Sequence, residues 1–293
     1  MNDPELWNSI EATIGSGFKI ENRIRLSGGS INSAYRIDGG TRSFFVKLNQ
    51  AQRLAMFEAE FEGLQAIQAS GTLRVPNPIA LGSTPRCSFL VLEYIDLKTR
   101  NPRSDRMLGE RLAEMHRRKQ PEFGWTRDNT IGSTLQVNSP DPGWVDFWRE
   151  RRLNFQLSLA KDNGCPASLL NKGAELSQNF DLLYAGYSPA RSLLHGDLWS
   201  GNAAADEKGE PLVFDPACYI GDRECDIAMT ELFGGFGKDF YAGYEASWSL
   251  DPGYRTRKNL YNLYHVLNHF NLFGGGYLNQ AESMIQALLA EIR

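Results

Sequence analysis

The sequence has few cysteines, and none of them forms a CxxC pair. The four thiols, Cys87, Cys165, Cys218 and Cys225, are scattered over 293 residues. We therefore expect no cysteine-based zinc site and expect reduced thiols, as in a cytoplasm. The sequence also has no apolar run near the roughly 20 residues needed to cross a bilayer. No membrane-spanning segment is predicted.

Other absences narrow the class of protein further. The first residues, 1–5, are acidic and are not followed by an apolar run, so we expect no signal peptide. Basic residues form no clusters and the net charge is −4, which gives nucleic-acid binding no electrostatic support. We find no internal repeat and no low-complexity tract. A composition of 42% hydrophobic and 23% charged residues predicts an ordinary soluble globular protein. Together with the absences above, we expect a cytoplasmic protein that binds neither nucleic acid nor membrane.

The first ninety-odd residues have the pattern of a strand-rich unit with one helix. Gly39 and Gly40 separate two β-prone runs as a hairpin turn. Apolar residues recur at helical spacing from residue 54 to residue 69, and Gly71 ends that helix. The predicted strands cover residues 23–27, 34–38, 43–48 and 87–95.

After Ile95 the pattern changes to mainly helical. Helices are predicted over residues 107–117, 145–160, 169–184 and 254–270, with short strands at 192–194 and 212–214. Residues 122–143 are rich in Gly, Pro, Asn and Asp and are predicted to form an ordered loop. The sequence therefore predicts an α+β protein of two lobes, residues 1–95 and 96–293, with a hinge near Ile95.

One short segment carries the clearest chemistry, the run HGDLWSGN from His195 to Asn202. Asp197 can accept a hydroxyl proton, while Asn202 and the later Asp215 can bind a metal that bridges phosphates. Mg²⁺ usually takes only one or two ligands from protein, so this pair suffices. The pattern favours phosphoryl transfer from Mg-ATP to a hydroxyl over the alternative that Asp197 is only a turn residue. We expect His195 to be structural and Trp199 to lie either in an acceptor pocket or in the core.

Lys47 and Glu60 are candidates for binding the nucleotide phosphates. Lys47 lies in an apolar strand and could either contact phosphates or face solvent. Glu60, on the next helix, could form the ion pair that positions Lys47, with Glu58 and Glu62 as competitors.

Two further segments could contact the nucleotide. Gly28 and Gly29 could let backbone amides approach the phosphates or could form a plain turn; their spacing matches neither a Walker A loop nor a dinucleotide fingerprint. The backbone of Glu93, Tyr94 and Ile95 could read the adenine edge or simply end a strand.

Acidic and aromatic residues of the second lobe have open roles. Asp226 follows Gly221 at a predicted helix start and could accept backbone amides of the HGDLWSGN segment, although acidic residues suit any helix N-terminus. Tyr219, Phe236 and His269 are aromatic candidates for the substrate cleft, with burial in the core as the alternative.

These motifs together resemble the fructosamine/ketosamine-3-kinase family, within the aminoglycoside-phosphotransferase-like and protein-kinase-like fold. The resemblance is carried by HGDLWSGN, by residues 215–236 (DPA, GDRE and LFGGF), by FEAE at 57–60 and by LYHVLNHFNLFG at 263–274. It implies Asp197 as catalytic base, Asn202 and Asp215 as Mg²⁺ ligands, and Lys47 with Glu60 at the ATP phosphates. It implies that Gly28 and Gly29 cover the nucleotide.

The resemblance also implies a reaction, the ATP-dependent phosphorylation of the sugar 3-hydroxyl of ketosamines. The product of that reaction is unstable and releases the free amine, which repairs glycation. Small-molecule and protein-bound ketosamines are both possible substrates. Three alternatives stay open: a kinase for an aminoglycoside, choline, homoserine or methylthioribose, a catalytically inactive nucleotide-binding protein, and a metal-dependent hydrolase, which would need more metal ligands than the segment supplies.

Overall fold

The computed structural model describes residues 3–15, 17–27 and 31–293. In those ranges the chain forms ten α-helices and eleven short strands. Gly28 and Gly29, which we predicted to cover the nucleotide, lie outside the described residues. No helix in those ranges has both the length and the apolar character that a membrane span requires.

The first part of the chain contains a five-stranded antiparallel sheet in the order β1-β2-β3-β5-β4. The strands are β1 (Asn22–Leu26), β2 (Ser33–Gly39), β3 (Arg42–Gln50), β4 (Pro78–Ser83) and β5 (Cys87–Glu93). Gly39 pairs with Arg42, so the β2–β3 loop has two residues, and Gly40 there has a φ of 58° that glycine adopts without steric cost. The four predicted strands are confirmed to within two residues at each end.

Two helices accompany this sheet, α1 (Pro4–Ile14) and α2 (Leu54–Ser70). The prediction of a single helix was wrong, because α1 was overlooked. Its N-cap is Asp3, whose side chain accepts a hydrogen bond from the amide of Leu6. The helix buries an apolar stripe against the sheet, made of Leu6, Trp7, Ile10 and Ile14. The prediction of α2 is confirmed, and Gly71 ends it with a φ of 68°.

The second part is mainly helical, as predicted. Its helices are α3 (Pro102–His116), α4 (Trp144–Trp148), α5 (Asn154–Asp162), α6 (Ala167–Asn179), α7 (Glu224–Leu232), α8 (Lys238–Ser247), α9 (Tyr254–Phe273) and α10 (Tyr277–Glu291). A π-helical turn, Arg149–Leu153, joins α4 to α5. The sequence analysis missed α8 and α10. Helix α8 approaches α3 so closely that a Cβ on Gly109 would lie 2.1 Å from the Phe240 carbonyl oxygen, and hydrophobic periodicity does not show such a contact.

Six short strands form three antiparallel pairs in the second part. They are β6 (Asn129–Ile131) with β7 (Thr134–Gln136), β8 (Ser192–Leu194) with β11 (Tyr219–Gly221), and β9 (Ala203–Ala205) with β10 (Pro211–Val213). The predicted strands at 192–194 and 212–214 are confirmed. The region 122–143 is ordered as expected, but it contains the β6–β7 hairpin. Strand β8 ends just before His195, and β10 ends two residues before Asp215. The amides of Phe214 and Ala217 donate to the carbonyl oxygens of Asn202 and His195, so Asp215 lies beside the HGDLWSGN segment.

Buried side chains form two hydrophobic clusters. One lies between α1 and the sheet and includes Ile10, Val46 and Phe89. The larger one joins α2, through Phe57 and Leu64, to the helices of the second part. Helix α2 therefore packs against the part of the chain that carries the HGDLWSGN segment, so its position is coupled to that segment.

Candidate active site

A groove of about 680 Å³ lies between the five-stranded sheet and the HGDLWSGN segment. It is lined by seven of the residues that the sequence singled out: Lys47, Glu93, Ile95, Asp197, Trp199, Asn202 and Asp215. Asp197, Asn202 and Asp215, which the sequence assigns to phosphoryl transfer, thus converge in one groove with Lys47.

Asp226 holds the start of the HGDLWSGN segment by hydrogen bonds to its backbone. The carboxylate of Asp226 accepts the backbone amides of His195 at 2.7 Å and Gly196 at 2.9 Å. The predicted contact of Asp226 with the segment is thus confirmed. His116 approaches the same carboxylate at 3.1 Å through Nε2. Gly196 has a φ of 82°, and a Cβ there would lie 2.1 Å from the Ala217 carbonyl oxygen, so only glycine fits.

His195 is buried and hydrogen-bonded on both ring nitrogens. Its Nδ1 faces the amide of Asp197 at 3.3 Å, and its Nε2 lies 3.0 Å from the carbonyl oxygen of Phe214. Since an amide can only donate, Nδ1 accepts and Nε2 donates. Burial lowers the pKa of His195, which keeps the ring neutral. These bonds give His195 the structural position that we expected.

Asp197 has the environment of a carboxylate that can take up a proton. Burial raises the pKa of Asp197 to about 7, the negative charge of Asp215 adds to that rise, and the hydrogen bond from Asn202 opposes it. The Asn202 Nδ2 lies 3.3 Å from Oδ2 of Asp197 and 2.9 Å from its carbonyl oxygen. A general base works best with a pKa near the working pH.

Lys47 is buried, so the alternative that it faces solvent was wrong. Its Nζ lies 2.7 Å from Oε1 of Glu60 and 2.5 Å from Oδ1 of Asp215. Burial alone would lower the pKa of Lys47, but the two carboxylates raise it above its usual value, which keeps the amine charged. Burial raises the pKa of Glu60, and the Lys47 charge opposes this rise. The competing glutamates, Glu58 and Glu62, pair with Arg127 instead.

Asn202 and Asp215 fit a small divalent cation. Asp215 is the only non-glycine residue in the described ranges with a positive φ, 58°, a conformation that aspartate tolerates better than most residues. Oδ1 of Asn202 and Oδ2 of Asp215 accept no hydrogen bond from any described residue. Among the described residues there is no cluster of three or more His, Cys, Asp or Glu side chains suited to a metal. Two free oxygen ligands match Mg²⁺, which keeps several waters and takes further ligands from phosphates.

The predicted adenine segment contributes unequally to the groove. Glu93 and Ile95 line it, and the Glu93 carboxylate is held by Arg74 at 3.2 Å and by the Asn77 amide at 3.1 Å. The Tyr94 ring does not line the groove; it lies under the Arg36 guanidinium at 4.5 Å.

The four predicted substrate residues divide into three groups. Trp199 lines the groove and is 39% exposed, so it is not in the core. Tyr219 is only 3% exposed and stacks on Phe147 in the core, so its predicted place in a substrate cleft was wrong. Phe236 packs on Phe240, and His269 packs on Phe233 and Tyr277; neither lines this groove.

Sequence reasoning missed the apolar walls of the groove. These are Leu26, Ala34, Phe45, Leu92 and Phe214. They lie on or next to strands, where an apolar residue that faces a ligand cannot be distinguished by sequence from one that faces the core. The direct ion pair of Lys47 with Asp215 was also missed, because the two residues are far apart in the chain.

The family model for fructosamine kinase matches residues 3–291 of this chain. The chain belongs to the fructosamine kinase family. The match covers both the sheet and the helical part, and so includes every described residue of the groove. The family resemblance read from the motifs is therefore confirmed.

Relatives in this family are similar over most of their length. A Synechocystis protein named "probable ketoamine kinase" is 46% identical over 294 residues, 99% of each chain. The chloroplastic protein-ribulosamine 3-kinase of Arabidopsis thaliana is 42% identical over 96% of this chain and 86% of its own. A crystal structure from Haemophilus somnus, described as a "putative fructosamine-3-kinase", superposes with a TM-score of 0.89 at 28% identity over 97% of this chain and 96% of its own.

The fold of this fructosamine kinase family member extends to other kinases. The choline kinase LicA of Streptococcus pneumoniae superposes with a TM-score of 0.65 at 14% identity, over 98% of this chain and 99% of its own. At that identity the likeness shows the fold alone. The predicted α+β, kinase-like fold is confirmed.

Proposed function

We propose that this protein transfers the γ-phosphoryl group of ATP to the sugar 3-hydroxyl of ketosamines, the adducts that sugars form with amines. The observation that carries the proposal is the convergence of Asp197, Asn202, Asp215 and Lys47 in one groove of a chain that belongs to the fructosamine kinase family. Decay of the phosphorylated product would release the free amine, so the biological role would be repair of glycated amines.

The polar residues that converge in the groove have separate tasks in this reaction. The acceptor hydroxyl oxygen forms a bond to the γ-phosphorus, the bond from that phosphorus to the β–γ bridging oxygen breaks, and ADP leaves. Asp197 takes the hydroxyl proton, which its raised pKa favours. Lys47, kept charged by Glu60, offsets phosphate charge. Asn202 and Asp215 would hold Mg²⁺, which supplies positive charge to the phosphate oxygens when bound.

The nucleotide would lie along the sheet side of the groove. We propose that residues 1–95 form the ATP-binding lobe and residues 96–293 the catalytic and substrate lobe, joined near Ile95. Gly28 and Gly29 would cover the phosphates, and the backbone of residues 93–95 would contact the adenine edge. Trp199, which lines the groove and is exposed, is our candidate for contact with the acceptor sugar.

A substrate panel tests the proposal. Release of ADP is followed with fructosamine, ribulosamine and erythrulosamine derivatives of lysine, and with choline and an aminoglycoside as acceptors of related kinases. We expect ADP release that depends on the ketosamine and on Mg²⁺. Turnover with choline or the aminoglycoside and not with any ketosamine would replace the proposed substrate. No turnover with any acceptor, despite ATP binding, would favour a non-catalytic nucleotide-binding protein.

A further inference from the structure

Helix α2 packs against the segment that follows Asp215, and the contact on the helix is a glycine, Gly63. A Cβ added to Gly63 would lie 3.1 Å from Sγ and 3.4 Å from Cβ of Cys218. Cys218 is 1% exposed, and its Sγ lies 3.7 Å from the Gly63 carbonyl oxygen. A side chain at position 63 would therefore fit only if the helix or this segment moved by a few tenths of an ångström.

This contact lies on the same side of α2 as the glutamate of the ion pair. Gly63 comes three positions after Glu60, and residues with that spacing share a helix face. Glu60 contacts Lys47 at 2.7 Å, and Lys47 contacts Asp215 at 2.5 Å. The distance between α2 and the segment 215–218 thus determines whether all three groups can meet.

Cys218 cannot easily move away from the helix. Its carbonyl oxygen accepts a hydrogen bond of 2.8 Å from Nδ2 of Asn129, which is itself buried. Oδ1 of Asn129 accepts hydrogen bonds from Gln136 at 2.7 Å and Asn138 at 3.0 Å. The β6–β7 hairpin and the residues after it therefore hold the backbone of Cys218 in place. Added volume at Gly63 would for this reason displace α2 rather than Cys218.

From these contacts we propose that Gly63 and Cys218 are positioning residues for the Lys47 amine. They set the distance between α2 and the segment 215–218, and so the distance between Glu60 and Lys47. The role rests on the proposed phosphoryl transfer. Neither residue touches the reacting atoms. Gly63→Ala shifts α2 outward by a few tenths of an ångström, which lengthens the contact of Glu60 with Lys47 and misplaces the Lys47 amine.

The test uses four variants, Gly63→Ala, Cys218→Ala, the double variant Gly63→Ala/Cys218→Ala and the control Gln65→Ala, which changes an exposed residue of the same helix. Affinity for Mg-ADP is measured by calorimetry, and kcat and KM for ATP are measured with a ketosamine acceptor. We expect Gly63→Ala to lower kcat/KM for ATP about tenfold, since small misplacements of reacting groups are costly, and to weaken Mg-ADP binding, with KM for the ketosamine unchanged. Gln65→Ala should match the wild type.

Relief of the contact separates positioning from simple folding damage. Truncation of Cys218 removes the Sγ that the methyl group added by Gly63→Ala would meet, so the double variant should bind Mg-ADP within about twofold of Cys218→Ala alone. Wild-type affinity and kcat/KM in Gly63→Ala would overturn the proposal, as would a loss that Cys218→Ala does not restore. If Gly63→Ala does not fold, the comparison of the double variant with Cys218→Ala decides by the same criterion. Calorimetry with Mg-ADP needs no acceptor, so it compares the variants even if every ketosamine fails as substrate. Failure of every ketosamine would count against the proposed function but not against the positioning role.

Discussion

Nζ of Lys47 lies 2.5 Å from Oδ1 of Asp215, although 168 positions separate the two residues in the chain. Lys47 lies on the central strand of the sheet and Asp215 follows β10, so their ion pair joins the two sides of the groove. Glu60 completes the arrangement from α2. The Lys47 amine therefore links the sheet, helix α2 and the residues that follow β10.

Removal of the Lys47 charge should disable the phosphate site. In Lys47→Met the phosphates lose their buried cation while Asp215 and Glu60 lose their common partner. We expect kcat/KM for ATP to fall by about 10²–10³-fold, the usual cost of removing one group that stabilises transition-state charge. Steady-state kinetics with varied ATP measures it, with Lys161→Met, at an exposed position, as control. Activity within a few-fold of the control would contradict the assigned role.

Asp197→Asn should leave a folded, nucleotide-binding protein with little turnover. The amide keeps the shape of the side chain but cannot accept the hydroxyl proton, so we expect kcat to fall by roughly 10²–10⁴-fold. Circular dichroism and Mg-ADP calorimetry check that folding and binding persist. Asp162→Asn, at an exposed position on α5, serves as control. Wild-type kcat in Asp197→Asn would remove Asp197 from the mechanism.

Asp215→Asn should uncouple nucleotide binding from Mg²⁺. Asparagine tolerates the positive φ of 58° at this position, so the loop keeps its shape while the anionic ligand is lost. Calorimetry with ADP is run with Mg²⁺ and with EDTA. For the wild type we expect Mg²⁺ to strengthen binding, and for the variant we expect little difference between the two conditions. An equal Mg²⁺ effect in both proteins would show that the metal binds elsewhere.

Asp226→Ala should lower both the free energy of unfolding and kcat. The substitution leaves the buried amides of His195 and Gly196 without their acceptor, and unpaired buried polar groups cost about 1–3 kcal/mol each. We expect urea denaturation to show a loss of about 2–5 kcal/mol, together with a lower kcat. Asp226→Asn, which retains one acceptor oxygen, should lose less. If both variants keep wild-type stability, Asp226 does not support the HGDLWSGN segment.

The stability of the fold should fall in mild acid because of His265. This side chain of α9 is 6% exposed, and its Nδ1 has no partner within the described ranges. Burial lowers the pKa of His265 to about 3, nearby His269 and Arg152 act in the same direction, and Asp226 acts against them. The unfolded chain takes up this proton near pH 6.5, whereas the folded chain does not until about pH 3. Stability due to the neutral ring is therefore complete above pH 6.5 and is lost progressively between these two values.

At pH 5 this proton uptake should have removed about 2 kcal/mol of the free energy of unfolding. Urea denaturation of the wild type and His265→Gln at pH 7.5 and pH 5 measures the difference. The wild type should lose about 2 kcal/mol more than the variant over this interval. Equal losses would show that His265 titrates normally in the folded protein.

Local sequence was enough to predict the HGDLWSGN segment and its partners. Asp197 and Asn202 are five positions apart, and Asp215 follows a strand that pairs nearby, so short-range geometry brings them together. Helical periodicity offered Glu60 as the partner of Lys47 but left Glu58 and Glu62 as competitors, and only their ion pairs with Arg127 exclude them. Contacts between distant elements were harder. The sequence could not distinguish a Tyr219 buried against Phe147 from one that lines a cleft, because an aromatic residue in a short strand suits both positions.

The missed helices have different origins. Helix α1 carries local signals that were overlooked, an N-cap and an apolar stripe, whereas α8 packs on α3 through a close, glycine-mediated approach. Close approach depends on what lies opposite, which no local pattern records. The same holds for Gly63, which has an unremarkable position within α2 until Cys218 is seen against it.

Transfer of phosphate to the sugar 3-hydroxyl can be observed by phosphorus-31 NMR of the wild-type protein with Mg-ATP and a ribulosamine or fructosamine derivative of lysine. We expect a new phosphate ester, formed in step with ADP, whose phosphorus couples to the proton on carbon 3 of the sugar. ADP formation without such an ester, or an ester on another carbon, would contradict the proposed transfer.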